Sequence, residues 1–187
     1  NIVYSKLNKK AVSALCLSQA LNCLMDNRFT GLKHFWSAVA IERPRKEKNL
    51  LENIEKFEPE GDLTEEEKLQ HLVNLTGIFP VSMVVTEQLQ SRIDELMIPP
   101  ISEFDAELQV CWFIPREVLQ KKTKNGKLFY VVKVIDSNSE ENTIKCWGVD
   151  ANKDKIFVNR PYMARLQWDA NWGFSTRSVR KTFRMLA

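Results

Sequence analysis

The chain has 187 residues, enough for one or two domains with a buried core, and 44% of them are hydrophobic while 27% are charged. This composition excludes a disordered or fibrous chain, and no apolar run approaches the roughly 18 residues of a membrane-spanning helix. Basic side chains predominate in residues 1–40 and 105–187, whereas acidic ones predominate in 41–104. That distribution suggests two phosphate-facing modules around a connector or, equally, ordinary solvated surfaces.

No sequence motif of an enzyme is evident: there is no phosphate-binding glycine loop, no dinucleotide fingerprint and no zinc-protease motif. The four cysteines form no CxxC pair, and each lies in an apolar neighbourhood: Cys16, Cys23, Cys111 and Cys146. Because there are only two histidines, this pattern favours buried free thiols in a reducing compartment over a zinc site. We therefore predict no catalytic residue, metal or cofactor in this chain, and a cytoplasmic location.

The first forty residues predict two short helices. Asn8 can cap a first helix whose apolar residues recur at helical spacing, and a second helix is expected from about Phe29 after a turn over residues 19–22. We interpret residues 1–43 as a helix-hairpin-helix-like region, although any small helical pair would have the same pattern.

Residues 44–104 predict an acidic helical linker. Thr64 and Glu67 have the spacing of a capping box, and Gly77 can end the helix that they begin. A further helix is expected over residues 86–96, before two consecutive prolines interrupt the chain. We expect no chemistry in this linker.

The pattern changes to strands in residues 105–187. Five short strands are expected, over residues 107–122, 127–136, 142–149, 156–158 and 162–168. A short terminal helix would follow, capped by Ser175 or Thr176. Five strands in a basic segment of about 80 residues suit a small Greek-key barrel, so we predict a five-stranded OB-fold domain and an α+β chain overall.

The segment Thr123-Lys124-Asn125-Gly126-Lys127 joins the first two of these strands. An Asn-Gly pair between β-branched and aromatic runs is typical of a β-hairpin, because both residues tolerate the positive φ angles of tight turns. Four lysines lie in the loop and its approach: Lys121, Lys122, Lys124 and Lys127. In OB-folds the loop between the first two strands is one of those that grip nucleic acid.

Strand alternation predicts which side chains accompany this loop. If Leu128, Tyr130, Val132 and Val134 fill the barrel, Phe129 and Lys133 point outward, and so do Lys145 and Trp147 on the next strand. Unpaired bases stack on aromatic rings with about 1–3 kcal/mol each, while lysines neutralise phosphates. The candidate nucleic-acid-binding residues are Lys121, Lys122, Lys124, Asn125, Lys127, Phe129, Lys133, Lys145 and Trp147.

Two alternatives remain open for these aromatic and basic side chains. Phe129 and Trp147 could pack beneath the linker or the last helix, and the hairpin lysines could belong to a solvated turn. The other large aromatics are expected in the core or in a lid: Trp112, Trp168, Trp172 and Phe174.

The order of these parts resembles the C-terminal region of the C-family replicative DNA polymerases, the bacterial DNA polymerase III alpha subunits. Residues 7–15 are similar to the helix that opens the family's late helix-hairpin-helix region, and residues 69–79, ending Leu-Thr-Gly-Ile-Phe, to a later helix. Thr123-Lys124-x-Gly126-Lys127 matches the hairpin of the family's OB domain. Gln19 replaces the usual hairpin glycine, and residues 53–57 lack the leading Gln of a clamp-binding peptide.

This resemblance implies a DNA-handling module of a polymerase. Its expected partners are single-stranded template DNA, duplex DNA along residues 8–40, the rest of the polymerase chain and a sliding clamp. The nucleotide-transfer residues and their Mg²⁺ ions would lie upstream, so the chain is expected to be a piece of a longer protein. That parent would be a phage-encoded polymerase, shortened relative to the bacterial alpha subunits. The rival interpretations are a module that docks a replication partner and a tRNA- or RNA-binding OB domain.

Overall fold

A computed structural model describes residues 7–186, and the chain divides into two compact units, Asn1–Pro80 and Val81–Ala187. The boundary falls inside the segment 44–104 that the sequence predicts as a linker. The first unit is helical, and the second combines a mixed sheet with short helices. The predicted α+β class is therefore confirmed.

From residue 7 onward, the first unit contains four α-helices and a short 3-10 helix (Asn22–Leu24): α1 (Lys9–Leu17), α2 (Leu32–Trp36), which continues as a π-helical turn over Ser37–Ile41, α3 (Glu47–Lys56) and α4 (Glu65–Thr76). As predicted, the side chain of Asn8 caps α1 and accepts a hydrogen bond from the Ala11 N–H at 2.8 Å. The second helix begins at Leu32, three residues later than Phe29. Between the two helices, Gln19 adopts a φ of 63°, the left-handed conformation that usually favours glycine.

The start of α2 is capped from a distance. Asp62 accepts a hydrogen bond from the Lys33 N–H at 2.8 Å and forms a 3.0 Å ion pair with Lys68. Gly31 lies directly against this carboxylate, and a Cβ at Gly31 would overlap it. The lack of a side chain at Gly31 thus lets an acid from another part of the chain satisfy a free helix amide.

Local capping signals in the predicted linker are confirmed. Thr64 and Glu67 form a complete capping box at the start of α4, and Gly77 ends this helix with a φ of 72°. The helix predicted over residues 86–96 is α5 (Glu87–Glu95), with Thr86 as its cap. No helix within residues 7–186 has the length and apolarity needed to cross a bilayer.

The sheet of the second unit has seven strands, not the five predicted. They are β1 (Val110–Lys122), β2 (Leu128–Ile135), β3 (Glu141–Trp147), β4 (Tyr162–Arg165), β5 (Gln167–Asp169), β6 (Gly173–Thr176) and β7 (Phe183–Met185). Their order is β5-β6-β3-β2-β1-β4-β7, and all neighbours are antiparallel except β3 and β6. The sheet curls into a half-barrel around an apolar core, in place of the closed five-stranded barrel that was predicted.

Leu166 explains part of the difference. The predicted fifth strand is split there. The buried Leu166 donates its N–H to the Gln109 carbonyl at 2.8 Å, which continues the pairing of β4 with β1 by one residue, up to Gln109 with its positive φ of 57°. Before Leu166 the chain pairs with β1, and after it with β6. One apolar run thus becomes two strands at separate places in the strand order of the sheet.

Two other predictions are wrong: a strand over residues 156–158, and the cap of the terminal helix at Ser175 or Thr176. Residues 156–158 form a loop with Ile156 packed against the core and Phe157 and Val158 exposed, and the Phe157 N–H bonds to the Tyr162 hydroxyl at 3.1 Å instead of to a neighbouring strand. Ser175 and Thr176 lie in β6 and pair in parallel with β3, so they cap no helix. The terminal helix is only α6 (Val179–Thr182), and β7 follows it directly.

Candidate nucleic-acid interface

The predicted lysine hairpin is present, with a different turn. The Gly126 N–H bonds to the Thr123 carbonyl at 2.9 Å, so Lys124 and Asn125 are the central residues of the turn. Within residues 123–127, the positive φ belongs to Gly126, at 75°. The expectation that Asn125 also takes a positive φ is therefore wrong. The side chains of Lys121, Lys122, Lys124 and Lys127 are all exposed.

The register of β1, β2 and β3 brings the predicted outer residues onto one face. Phe129 stands opposite Trp147 on one side and Lys121 on the other, while Lys145 stands opposite Val131. Directly opposed residues point to the same side of a sheet. The alternate residues of β2 and β3 point into the core, as strand alternation predicted: Tyr130, Val132, Val134, Ile144 and Cys146.

Phe129 and Trp147 are stacked on each other. Their ring centroids lie 4.7 Å apart with 26° between the planes, and both side chains are half-buried. One face of each ring is therefore already occupied. Of the two, Trp147 lines the neighbouring groove, which gives Phe129 the position of a support behind it.

This groove has a volume of about 630 Å³ and lies between two hairpins. Thr123 and Lys127 line it from the β1–β2 hairpin, and Asp169 and Trp172 from the β5–β6 hairpin. The remaining lining residues come from β2, β3, β5 and β6 and from the positions just after β3 and β6: Leu128, Lys145, Trp147, Gly148, Gln167, Ser175 and Arg177. Two indole rings and three cations thus share one surface depression with a single carboxylate.

Sequence reasoning missed Trp172, which was assigned to the core or a lid. The Asp169 side chain accepts hydrogen bonds from the N–H groups of Asn171 at 2.8 Å and Trp172 at 3.1 Å, which shapes a tight turn. Trp172, at the tip of this turn, is 67% exposed. The signal was present as an Asp-x-Asn-Trp-Gly turn, because turn tips point to solvent. Trp168 is also exposed, whereas Trp112 and Phe174 are buried as expected.

Two of the predicted cations are engaged within the protein. Lys133 forms a 2.6 Å ion pair with Glu117, and this hydrogen bond raises the pKa of Lys133. Lys145 donates a 3.1 Å hydrogen bond to the Trp172 carbonyl, and its ammonium lies 5.2 Å from the centre of the Trp172 ring. Within the described part of the chain, the four hairpin lysines have no such acidic partner.

The cysteines give no sign of a reactive centre. Burial raises the pKa of Cys16 to about 11 and those of Cys111 and Cys146 to about 12, so these three remain thiols. Cys23 is exposed, which corrects the expectation of four buried thiols. Residues 7–186 contain no group of three or more His, Cys, Asp or Glu side chains that could hold a metal ion.

In the first unit the candidate DNA and clamp contacts have structural partners. Arg28 forms a 2.7 Å ion pair with Asp26 on the segment expected to meet duplex DNA. Asn53, at the start of the candidate clamp peptide, is buried and donates to the carbonyl oxygens of Ala38 at 2.8 Å and Glu42 at 2.6 Å. Residues 53–56 are thus the last turn of α3, with Phe57 at its end.

Comparisons of the chain with protein-family models and with curated proteins gave no match. The functional interpretation therefore depends on the geometry of the groove and on the order of the sequence motifs.

Proposed function

We propose that the second unit binds single-stranded nucleic acid in the groove between the β1–β2 and β5–β6 hairpins. The observation that carries this proposal is the meeting of Trp147 and Trp172 with Lys127, Lys145 and Arg177 in one open depression. Indole rings offer stacking platforms to unpaired bases, and cations such as Lys127 and Arg177 beside them can neutralise phosphates. A duplex hides its base faces, so this surface favours a single strand.

The strand connections support an OB-like interpretation of the half-barrel. Around the half-barrel the order is β5, β6, β3, β2, β1 and β4, and β4 and β5 are consecutive in the chain on either side of Leu166. OB-folds bind oligonucleotides on the face of strands 2 and 3, between the loops that join strands 1–2 and 4–5. The groove has the same position relative to β2, β3 and the two hairpins.

We further propose that the chain handles template DNA in a replicative polymerase similar to the C-family enzymes. The support is the ordered likeness of residues 7–15, 69–79 and 123–127 to that family, together with a groove next to the last of these segments. On this proposal, the helical unit lies near duplex DNA, while nucleotide transfer with Mg²⁺ takes place elsewhere in the parent protein.

Fluorescence anisotropy of a labelled oligo(dT) strand, titrated at several salt concentrations, tests the binding. Neutralising Z phosphates of a single strand should give a log–log salt slope near −0.7Z. We expect Trp147→Ala with Lys124→Ala to weaken binding and flatten the slope, whereas Lys48→Ala, an exposed lysine of the first unit, should change neither.

Four outcomes count against the proposal. Absence of binding at low salt refutes the groove as a nucleic-acid site, as does binding that the double substitution leaves unchanged. Clear preference for an RNA strand of the same sequence would favour the RNA-binding alternative and count against the polymerase assignment. A protein partner whose affinity resists high salt and depends on Trp147 would favour the docking alternative.

A further inference from the structure

We propose that Lys145 is a positioning residue, which holds Trp172 in place as the second base platform and makes no phosphate contact of its own. This inference rests on the proposed function of the groove and refines it. It assigns Trp147 and Trp172 as the two stacking rings, and it removes Lys145 from the phosphate-binding set predicted from the sequence.

Lys145 contacts Trp172 in two ways. Lys145 leaves the middle of β3, where its partner on β6 is Ser175, and its ammonium reaches the backbone carbonyl of Trp172 at 3.1 Å. The same ammonium lies 5.2 Å from the Trp172 ring centre, within the range of a cation–π interaction. Two contacts to one residue fix both the backbone and the ring.

Trp172 lies at a position where the local structure alone holds it weakly. It is exposed at the tip of a hairpin whose strand β5 has three residues, and short hairpins of this kind are weak by themselves. Asp169 shapes the turn by accepting hydrogen bonds from two backbone N–H groups, which hold the backbone and not the Trp172 ring. The backbone of β6 pairs with β3 only from Phe174 onward, and Lys145 adds a side-chain contact from β3 to the tip of the hairpin.

Lys145 is less exposed than the lysines of the first hairpin. The side chain of Lys145 is half-buried on the sheet, whereas Lys124 and Lys127 are exposed on the first hairpin. A phosphate would have to compete with the Trp172 carbonyl for the Lys145 ammonium, and it meets no such competitor at Lys127. The hairpin lysines therefore contact the phosphates, and Lys145 holds Trp172 in position for stacking.

Salt dependence separates the two roles. Lys145→Met keeps the length of the side chain and removes its charge, and we expect about fivefold weaker oligo(dT) binding with an unchanged salt slope. Lys127→Ala, the matched control in the same groove, should reduce the slope by about 0.7. A slope reduced equally by both substitutions would overturn the inference.

A double-mutant cycle provides the second readout. Trp172→Ala should weaken binding about tenfold through the lost stacking, and adding Lys145→Met to it should cost almost nothing more. Fully additive losses would overturn the proposal, since they would mean that Lys145 acts without Trp172. Lys145→Arg retains both the charge and a donor, and we expect it to keep most of the affinity.

Hydrogen exchange of the ligand-free protein distinguishes this inference from the proposed function. Lys145→Met should speed exchange of the backbone amides of residues 171–173 and leave those of β2 protected. Unchanged exchange in a folded variant would refute the positioning role, even if the wild-type chain binds DNA. Failure of the wild-type chain to bind DNA would refute the proposed function instead.

Discussion

The indole ring of Trp147 is stacked on the ring of Phe129, its directly opposed neighbour across β2 and β3, with the centroids 4.7 Å apart. Aromatic pairs of this kind contribute about 0.5–1.5 kcal/mol beyond the area that they bury. Trp147 lines the groove, and on the proposed function its remaining face is the one on which a base would stack.

We expect Phe129→Ala to weaken single-strand binding, but less than Trp147→Ala does, because Phe129 acts through Trp147. Anisotropy titrations with oligo(dT) measure both losses, and near-ultraviolet circular dichroism reports the change in the tryptophan environment. Phe129→Tyr keeps the stacked ring and serves as the control. Equal losses for Phe129→Ala and Trp147→Ala would mean that Phe129 contacts the base directly.

Glu117→Gln should strengthen DNA binding by freeing Lys133. The two side chains form a 2.6 Å ion pair on the outer face of the sheet, and without the carboxylate the ammonium can serve a phosphate. We expect the magnitude of the salt slope to rise by up to about 0.7. The control is Lys133→Met, which should have little effect alone and should abolish the gain in the Glu117→Gln background. A gain that survives Lys133→Met would come from reduced repulsion by Glu117.

Gly31→Ala should destabilise the first unit. A Cβ at this position overlaps the Asp62 carboxylate, which must then release the Lys33 N–H and the start of α2. Loss of a helix cap costs about 0.5–2 kcal/mol, and urea unfolding measures it. In an Asp62→Ala background the overlap is gone, so Gly31→Ala should be nearly neutral there. A full cost in both backgrounds would contradict the steric explanation.

The contribution of Asp62 to stability should depend on pH in the acid range. Burial acts to raise its pKa, but hydrogen bonds from the Lys33 N–H and the Lys68 ammonium outweigh this, and the pKa falls from 3.8 to about 2. A lowered pKa in the folded state means that the stabilisation is present above pH 4 and is lost as the pH falls through about 2.

Because Asp62 is partly exposed, we expect a difference of no more than about 1 kcal/mol between wild type and Asp62→Asn at pH 6. Urea unfolding at pH 6, 4, 3 and 2 should show this difference shrinking toward zero. A difference that stays constant down to pH 2 would mean that packing around Asp62, and not its charge, stabilises α2.

The sequence alone determined the features that depend on neighbours along the chain. Asn8, Thr64 and Gly77 cap helices as predicted, because each of these caps uses only residues within one turn of it. The outward face of β2 and β3 followed from alternation, because successive residues of a strand point to opposite sides. Ile156, Phe157 and Val158 misled the prediction because an apolar run does not reveal whether a partner strand is available.

Only the tertiary structure decided which distant residues meet. The parallel pairing of β6 with β3, the break at Leu166 and the fit of Asp62 against Gly31 each join segments far apart in the chain. Lys145 and Trp172 are 27 residues apart, and no local pattern couples an ammonium on one strand to a carbonyl on a later hairpin. Local signals act over a few residues, whereas the groove is assembled by long-range pairing, so the contact between Lys145 and Trp172 emerged only from the fold.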